Sequence, residues 1–297
     1  MTLQEKLEKV LADKPGTFGV AVRHLGTGES AAINGDVLFQ TASSCKVAIL
    51  AALFHEAEKG RLSLETRIRL SKSDLVPGSG VFQYFDIGAE ISVKDLATLM
   101  IIVSDNLATD KILEMVGKDN VNALTRALGL KNSRIEHTIW ELLCAYVGMA
   151  PEPKNEARYK ELEERLEDPV DRSDSSIFDM DRPNNVSTPE EMNRLLVLLA
   201  EGRLVSKAAS AAMIDILKKQ QFGHRLPYLL PDGATVAHKT GTIGSVVNDV
   251  GIVYFPDQSE GFAISVFSRG CETAREAEQT IAELAKTAYD HFAAAKL

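Results

Sequence analysis

The sequence predicts an α+β protein, and three observations carry that reading. Strand-type runs rich in β-branched and aromatic residues lie near both ends, over 16–25, 30–34, 244–254 and 261–267. Helix-type sequence fills most of the interval between them. The two late runs, with a lead-in at 234–238, follow one another closely enough to pair as an antiparallel meander.

Taken in order, the chain opens on a helix over Leu3–Leu11, followed by the first two strands. The apolar run 47–54 is rich in helix formers and continues to Gly60, a plausible stop. Residues 93–103 read as a buried helix and 107–117 as a second, ending on a glycine, with Ser104-Asp105-Asn106 as the polar break between them. From 151 to 182 the chain turns highly charged, and 159–166 reads as a short solvated helix. Pro189 behind Thr188 is sound chemistry for the first turn of another helix. A closing helix covers about 272–292.

Three short strings occur in order: Ser43-Ser44-Cys45-Lys46, Ser104-Asp105-Asn106 and Lys239-Thr240-Gly241. Each alone is weak, and each has a plain local reading as a helix cap, a second helix cap, and a strand end with its turn. Together, with a helix opening, an interhelical break and a strand as their contexts, they form the S-x-x-K, S-D-N, K-T-G set. At a helix start Lys46 shares a face with Ser43 and can reach its hydroxyl. The free N–H groups there favour negative charge on the serine oxygen. Apolar residues follow Lys46 on nearly every face, and a buried lysine has a lowered pKa and serves as a base.

The chain resembles the class A β-lactamase-like serine hydrolases, with penicillin-recognising carboxypeptidases as cousins. The resemblance covers nearly the whole chain, including Val76-Pro77-Gly78-Ser79-Gly80-Val81 and Asn185-Val186-Ser187-Thr188-Pro189. It implies one body over 1–297: a sheet half from about 1–40 and 205–297, and an all-α half from about 41–204. Relative to the family, about 150–182 reads as a charged insertion beside the active-site rim, either a lid or a decoration.

The resemblance also implies roles. Ser43 is the nucleophile and Lys46 its base. Ser104 relays the proton, and Lys239 tunes it electrostatically. Asn106 binds the substrate's side-chain amide. Thr240, Gly241 and Thr242 border its carboxylate end, and the backbone N–H groups of Ser43 and Thr242 form the oxyanion hole. The deacylating E-x-x-L-N motif is absent. Glu141, 37 residues beyond Ser104, is the nearest candidate for that carboxylate, with Asp179 and Asp181 as lesser rivals. Arg225 lies 14 residues before Lys239, where some family members carry a carboxylate-supporting arginine. His238 should point away from Lys239 on an alternating strand and is read as structural.

At 297 residues and 45% hydrophobic the chain can bury a large core. A net charge of −9 argues against nucleic acid or an anionic membrane as partner. No segment is apolar enough over sufficient length to span a bilayer. No H-E-x-x-H or paired-Cys motif is present, so neither metal nor other cofactor is expected. Three cysteines and no secretory leader point to the cytoplasm for the chain as given, and to a periplasmic or secreted location if a leader was removed. The expectation is therefore a β-lactamase acting on small β-lactam or acyl-peptide substrates. A D-alanyl-D-alanine carboxypeptidase-like peptidase or esterase is the alternative, and a non-catalytic binding protein on the same scaffold is a third reading.

Overall fold

The structure is a computed structural model that describes residues 1–86, 88–256 and 260–294. In chain order its elements are α1 (Leu3–Leu11), β1 (Thr17–His24), β2 (Ser30–Ile33), β3 (Phe39–Gln40), α2 (Lys46–Glu58), β4 (Arg67–Arg69) and β5 (Glu90–Ser92). There follow α3 (Val93–Ile102), α4 (Asn106–Val116), α5 (Lys118–Ala127), α6 (Ile139–Tyr146), α7 (Glu156–Glu167), β6 (Val186–Ser187) and α8 (Pro189–Ala200). The last are α9 (Lys207–Leu217), β7 (Thr235–Ile243), β8 (Val246–Tyr254), β9 (Gly261–Arg269) and α10 (Ala274–Ala294).

The main sheet has the order β2-β1-β9-β8-β7 and is antiparallel throughout. The late strands form the expected meander, and β7, which carries Lys239, is an edge strand. β8 and β9 are buried along almost their whole length, so their sequence is mostly apolar rather than alternating, with Asn248, Asp249, Ser265 and Ser268 as buried polar exceptions. The side chains still divide by face with a period of two. Phe262, Ile264 and Val266 join Leu3, Leu7, Ile281 and Phe292 beneath α1 and α10. Ala263 and Phe267 join the larger core built around α2. Helix α2 is buried from Lys46 through Phe54, as a helix apolar on all sides must be.

The chain enters α2 through a 3₁₀ turn, Ala42–Cys45, so Ser43 lies one tight turn before the regular helix. Ala42 (φ +45°) and Ser104 (φ +57°) both occupy the left-handed region without being glycine. Such positions cost about 1–3 kcal/mol each and persist only where surrounding contacts hold them. Here one immediately precedes Ser43 and the other is the second motif serine itself. The charged segment is tied down rather than loose. Helix α7 is longer than the 159–166 expected from sequence and buries Leu162 completely. Trp140 Nε1 donates to Pro151 O at 2.7 Å, Arg158 Nη2 to Ala150 O at 2.7 Å, and the Arg172 guanidinium lies 5.6 Å over the Tyr146 ring.

Candidate active site

The three strings converge. Lys46 is fully buried, and its Nζ donates to Ser104 O (2.8 Å), Ser104 Oγ (3.1 Å) and Asn106 Oδ1 (3.0 Å). Burial pushes its pKa down to about 8, against smaller opposing pulls that include Asp105 and Asp110. Lys239, also fully buried, donates to Thr240 O at 2.7 Å. Burial first, and repulsion by Lys46 second, hold its pKa well below the usual lysine value. Ser43 is half-buried and opens onto a cavity it shares with Ser79, Ser104, Arg225, Thr240 and Thr242.

Gly241 explains how β7 and the Ser43 turn come so close. A Cβ there would stand 2.7 Å from Thr41 O, 2.9 Å from Ser44 N and 3.1 Å from Ser43 N. Only a residue without a side chain lets the edge strand lie against that turn.

Several residues hold these strings in place, and two of them, Asn248 and Asp110, were not singled out from the sequence. Asn248 Nδ2 donates to Gln40 O (2.9 Å) and Thr41 O (3.0 Å), holding the segment that leads into Ser43. Asn185 O accepts from both Thr41 N and Thr41 Oγ1, while its Oδ1 accepts from Glu136 N and His137 N and its Nδ2 donates to His137 O. Asp105 caps α4 through Ala108 N and accepts from Val81 N and Phe82 N, which joins the 78–82 loop to the Ser104 break. Asp110, half-buried, accepts from Ile139 N and Trp140 N at the start of α6; burial raises its pKa against those bonds. Asn248-Asp249 is a polar pair inside an apolar strand, which is a sequence signal in hindsight. Glu278 on α10 carries no local signal at all.

Arg225 is buried at the site's edge. Its Nη1 donates to Gly241 O (3.0 Å) and Asn248 O (2.6 Å), and its Nη2 to Thr242 Oγ1 (2.6 Å). Glu278 pairs with it at 3.2 Å and lines the same cavity. The neighbouring backbone is fixed through Leu226 N, which donates to Asp249. His238 is buried against that same Asp249, Nδ1 to Oδ2 at 2.9 Å.

Glu141 does not join the site. Its carboxylate accepts from Thr138 N (2.7 Å) and Lys118 Nζ (2.9 Å), and Thr138 Oγ1 accepts from Glu141 N in return. Burial raises its pKa, but the Thr138 and Lys118 hydrogen bonds outweigh that and hold it below the usual range. The physical reason is helical phase. α6 turns Ile139, Leu142, Leu143 and Tyr146, an i, i+3, i+4, i+7 face, toward the cavity beside Ser43, and Glu141 lies off that face. Asp179 is engaged with Arg182 (3.1 Å) and Asp181 N (3.0 Å), and neither aspartate lines a cavity with Ser43. Accordingly, Glu141→Gln, which keeps the capping acceptor and loses only the Lys118 ion pair, should cost less than about 1 kcal/mol of stability. It should leave the lifetime of any acyl-enzyme unchanged. Thermal unfolding alongside single-turnover decay separates the two effects.

This fold, with two buried lysines and two serines gathered at one sheet edge, defines the class A β-lactamase-like hydrolase scaffold. The chain belongs to the beta-lactamase enzyme family, whose model matches residues 2–292, and it is a hydrolase. It is 27% identical over 300 residues to beta-lactamase VEB-1 of Pseudomonas aeruginosa, covering 97% of this chain and 89% of that protein. Among solved structures it is similar to the beta-lactamase from Sphaerobacter thermophilus (TM-score 0.79, 28% identity, 98% and 97% of the two chains). It is also similar to the TLA-3 extended-spectrum beta-lactamase (TM-score 0.81, 26% identity, 98% of each chain).

Proposed function

We propose that the protein opens β-lactams through an acyl-Ser43 ester that is hydrolysed slowly. The observation that supports this most is Lys46: a fully buried amine with pKa about 8, 3.1 Å from Ser104 Oγ, in a site that exposes Ser43. In its neutral form Lys46 takes the Ser43 Oγ proton as Ser43 attacks the lactam carbonyl. The Ser43 and Thr242 N–H groups hold the resulting oxyanion, and each such donor is typically worth ~2.7–4 kcal/mol. Ser104 passes the proton to the leaving nitrogen, and Lys239 stabilises the charge that develops. Asn106 lines the acyl side, and Thr240 and Thr242, steadied by Arg225, face the substrate carboxylate. Water then cleaves the acyl ester.

Slow release follows from what surrounds the ester. Glu278 belongs to the Arg225 end of the site, and among the described residues no carboxylate lines the cavity on the α6 side of Ser43. Deacylation by an oriented water needs a base within hydrogen-bond reach. That same observation favours the second reading, a carboxypeptidase-like peptidase or esterase with little lactam turnover. Intact-mass spectrometry after mixing with benzylpenicillin tests both. The expected result is a covalent adduct that decays with release of ring-opened product. An adduct that never decays favours the second reading, and neither adduct nor product overturns the proposal.

The carboxylate end yields a further expectation. Glu278→Gln should lower KM for an anionic β-lactam a few-fold, because Arg225 then meets the substrate without a competing charge. Arg225→Ala should raise KM about tenfold on the same substrate and have little effect on its methyl ester. Equal losses on acid and ester would make Arg225 purely structural.

A further inference from the structure

Ser43 stands between two unlike basins. The first, of about 230 Å³, is polar and holds Ser104, Arg225, Thr240, Thr242 and Glu278. The second, of about 340 Å³, is walled by Ile139, Leu142, Leu143 and Tyr146 of α6, Ile243 of β7 and Leu166 of α7. Among the described residues no charged side chain lines it. The polar side chains it offers are Ser43, Ser79, Asn106, Thr242 and the Tyr146 phenol.

Leu166 is the informative member. It comes from a helix of sequence Glu-Ala-Arg-Tyr-Lys-Glu-Leu-Glu-Glu-Arg-Leu-Glu, in which almost every other position is polar. Leu162 is fully buried, and Leu166 packs against the core and reaches the cavity. The helix is fastened by side chains to backbone. Arg158 Nη2 holds Ala150 O, Arg165 Nη1 holds Val147 O at 3.4 Å, and Arg172 Nη2 holds Arg165 O at 2.6 Å. The charged segment thus contributes an apolar wall to the site and leaves its charges outside. A charged acyl substituent would lose its hydration there without gaining a partner, whereas an apolar one is transferred from water to aliphatic surface.

We infer that Leu166, brought in by the charged segment, and the α6 face together make the site select substrates whose acyl part is large, apolar and uncharged, such as a medium-chain acyl group, over acetyl or aminoacyl groups. The inference rests on the acyl-Ser43 reading. With an ester, Ser43 Oγ bonds to the carbonyl carbon, its proton passes to Lys46, and the C–O bond to the alcohol breaks. Water later cleaves the acyl-Ser43 ester to the carboxylic acid.

The test uses 4-nitrophenyl acetate and 4-nitrophenyl hexanoate, each rate normalised to its hydroxide-catalysed hydrolysis. Each buried methylene is worth roughly a fourfold preference. The expected hexanoate-to-acetate ratio in kcat/KM is therefore on the order of 100 for wild type. Leu166→Trp, which fills the basin, should cut that ratio at least tenfold. Leu166→Ala, which enlarges it, should move the optimum to the octanoate or decanoate ester. A wild-type ratio near one, or a ratio and optimum unmoved in both variants, overturns the pocket. Should mass spectrometry find no acyl group on the Ser43 peptide, the acyl-enzyme reading fails separately. The pocket is then decided by the Ser43→Ala protein, where selective thermal stabilisation by hexanamide over acetamide keeps it and equal shifts remove it.

Discussion

Ser43→Ala is expected to abolish covalent labelling by benzylpenicillin and by a fluorophosphonate, and to lower catalytic turnover by a factor on the order of 10⁶, the scale for losing a catalytic serine. The fold should survive. Ser43 is half-buried, packs little of the core, and sits in a 3₁₀ turn whose closing contacts are made by its neighbours: Ser44 N and Oγ to Thr41 O, and Asn248 to Gln40 O and Thr41 O. Unfolding should therefore shift little while labelling vanishes. Ser44 is the adjacent alternative, but it is fully buried with its hydroxyl donated to Thr41 O at 2.6 Å. Labelling that persists on Ser44 would show that the nucleophile is misassigned by one residue.

Lys46→Met is the second large effect. It keeps an unbranched chain and removes the amine, so acylation should slow by about 10³–10⁴, near the upper end for general-base catalysis. The pH profile carries the mechanism. With a pKa of about 8, Lys46 is protonated and inactive as a base below that pH and neutral above it. Acylation kcat/KM in the wild type should rise with pH through about 8, and this rise should be missing in Lys46→Met. Stability gives an independent sign. The folded pKa lies below the ordinary 10.5, so between about 8 and 10.5 the unfolded state binds more protons than the native one. Wild-type stability relative to Lys46→Met should then rise with pH across that window. A flat difference would mean that Lys46 is not the titrating group.

Much of the site was legible because its chemistry is written in short strings. Lys46 follows Ser43 within one turn, Ser104 and Asn106 share one interhelical break, and Lys239 and Thr242 share one strand. Local geometry then does the rest. Arg225 was legible by spacing, yet its bonds to Gly241 O, Asn248 O and Glu278 were not, because those partners are distant in the chain. Glu141 shows how spacing misleads. A count of 37 residues from Ser104 says nothing about the face of a helix on which a side chain falls. The better signal lay three residues upstream, since Thr138-x-x-Glu141 is a capping box and the structure makes both of its bonds.

By itself the sequence determined the α+β class, the meander of late strands and the identity of the motif residues. All of these depend on residues adjacent in the chain or on local periodicity. Only the tertiary structure decided the environment in which those residues meet. The depressed pKa of Lys46 arises because α2 is buried on every side. The contact between β7 and the Ser43 turn exists because Gly241 lets two backbones meet. The apolar basin beside Ser43 forms because the α6 phase and the anchored α7 bring Leu142, Leu143 and Leu166 to one wall. Burial, electrostatic coupling and cavity shape are sums over residues far apart in the chain, so no local pattern encodes them.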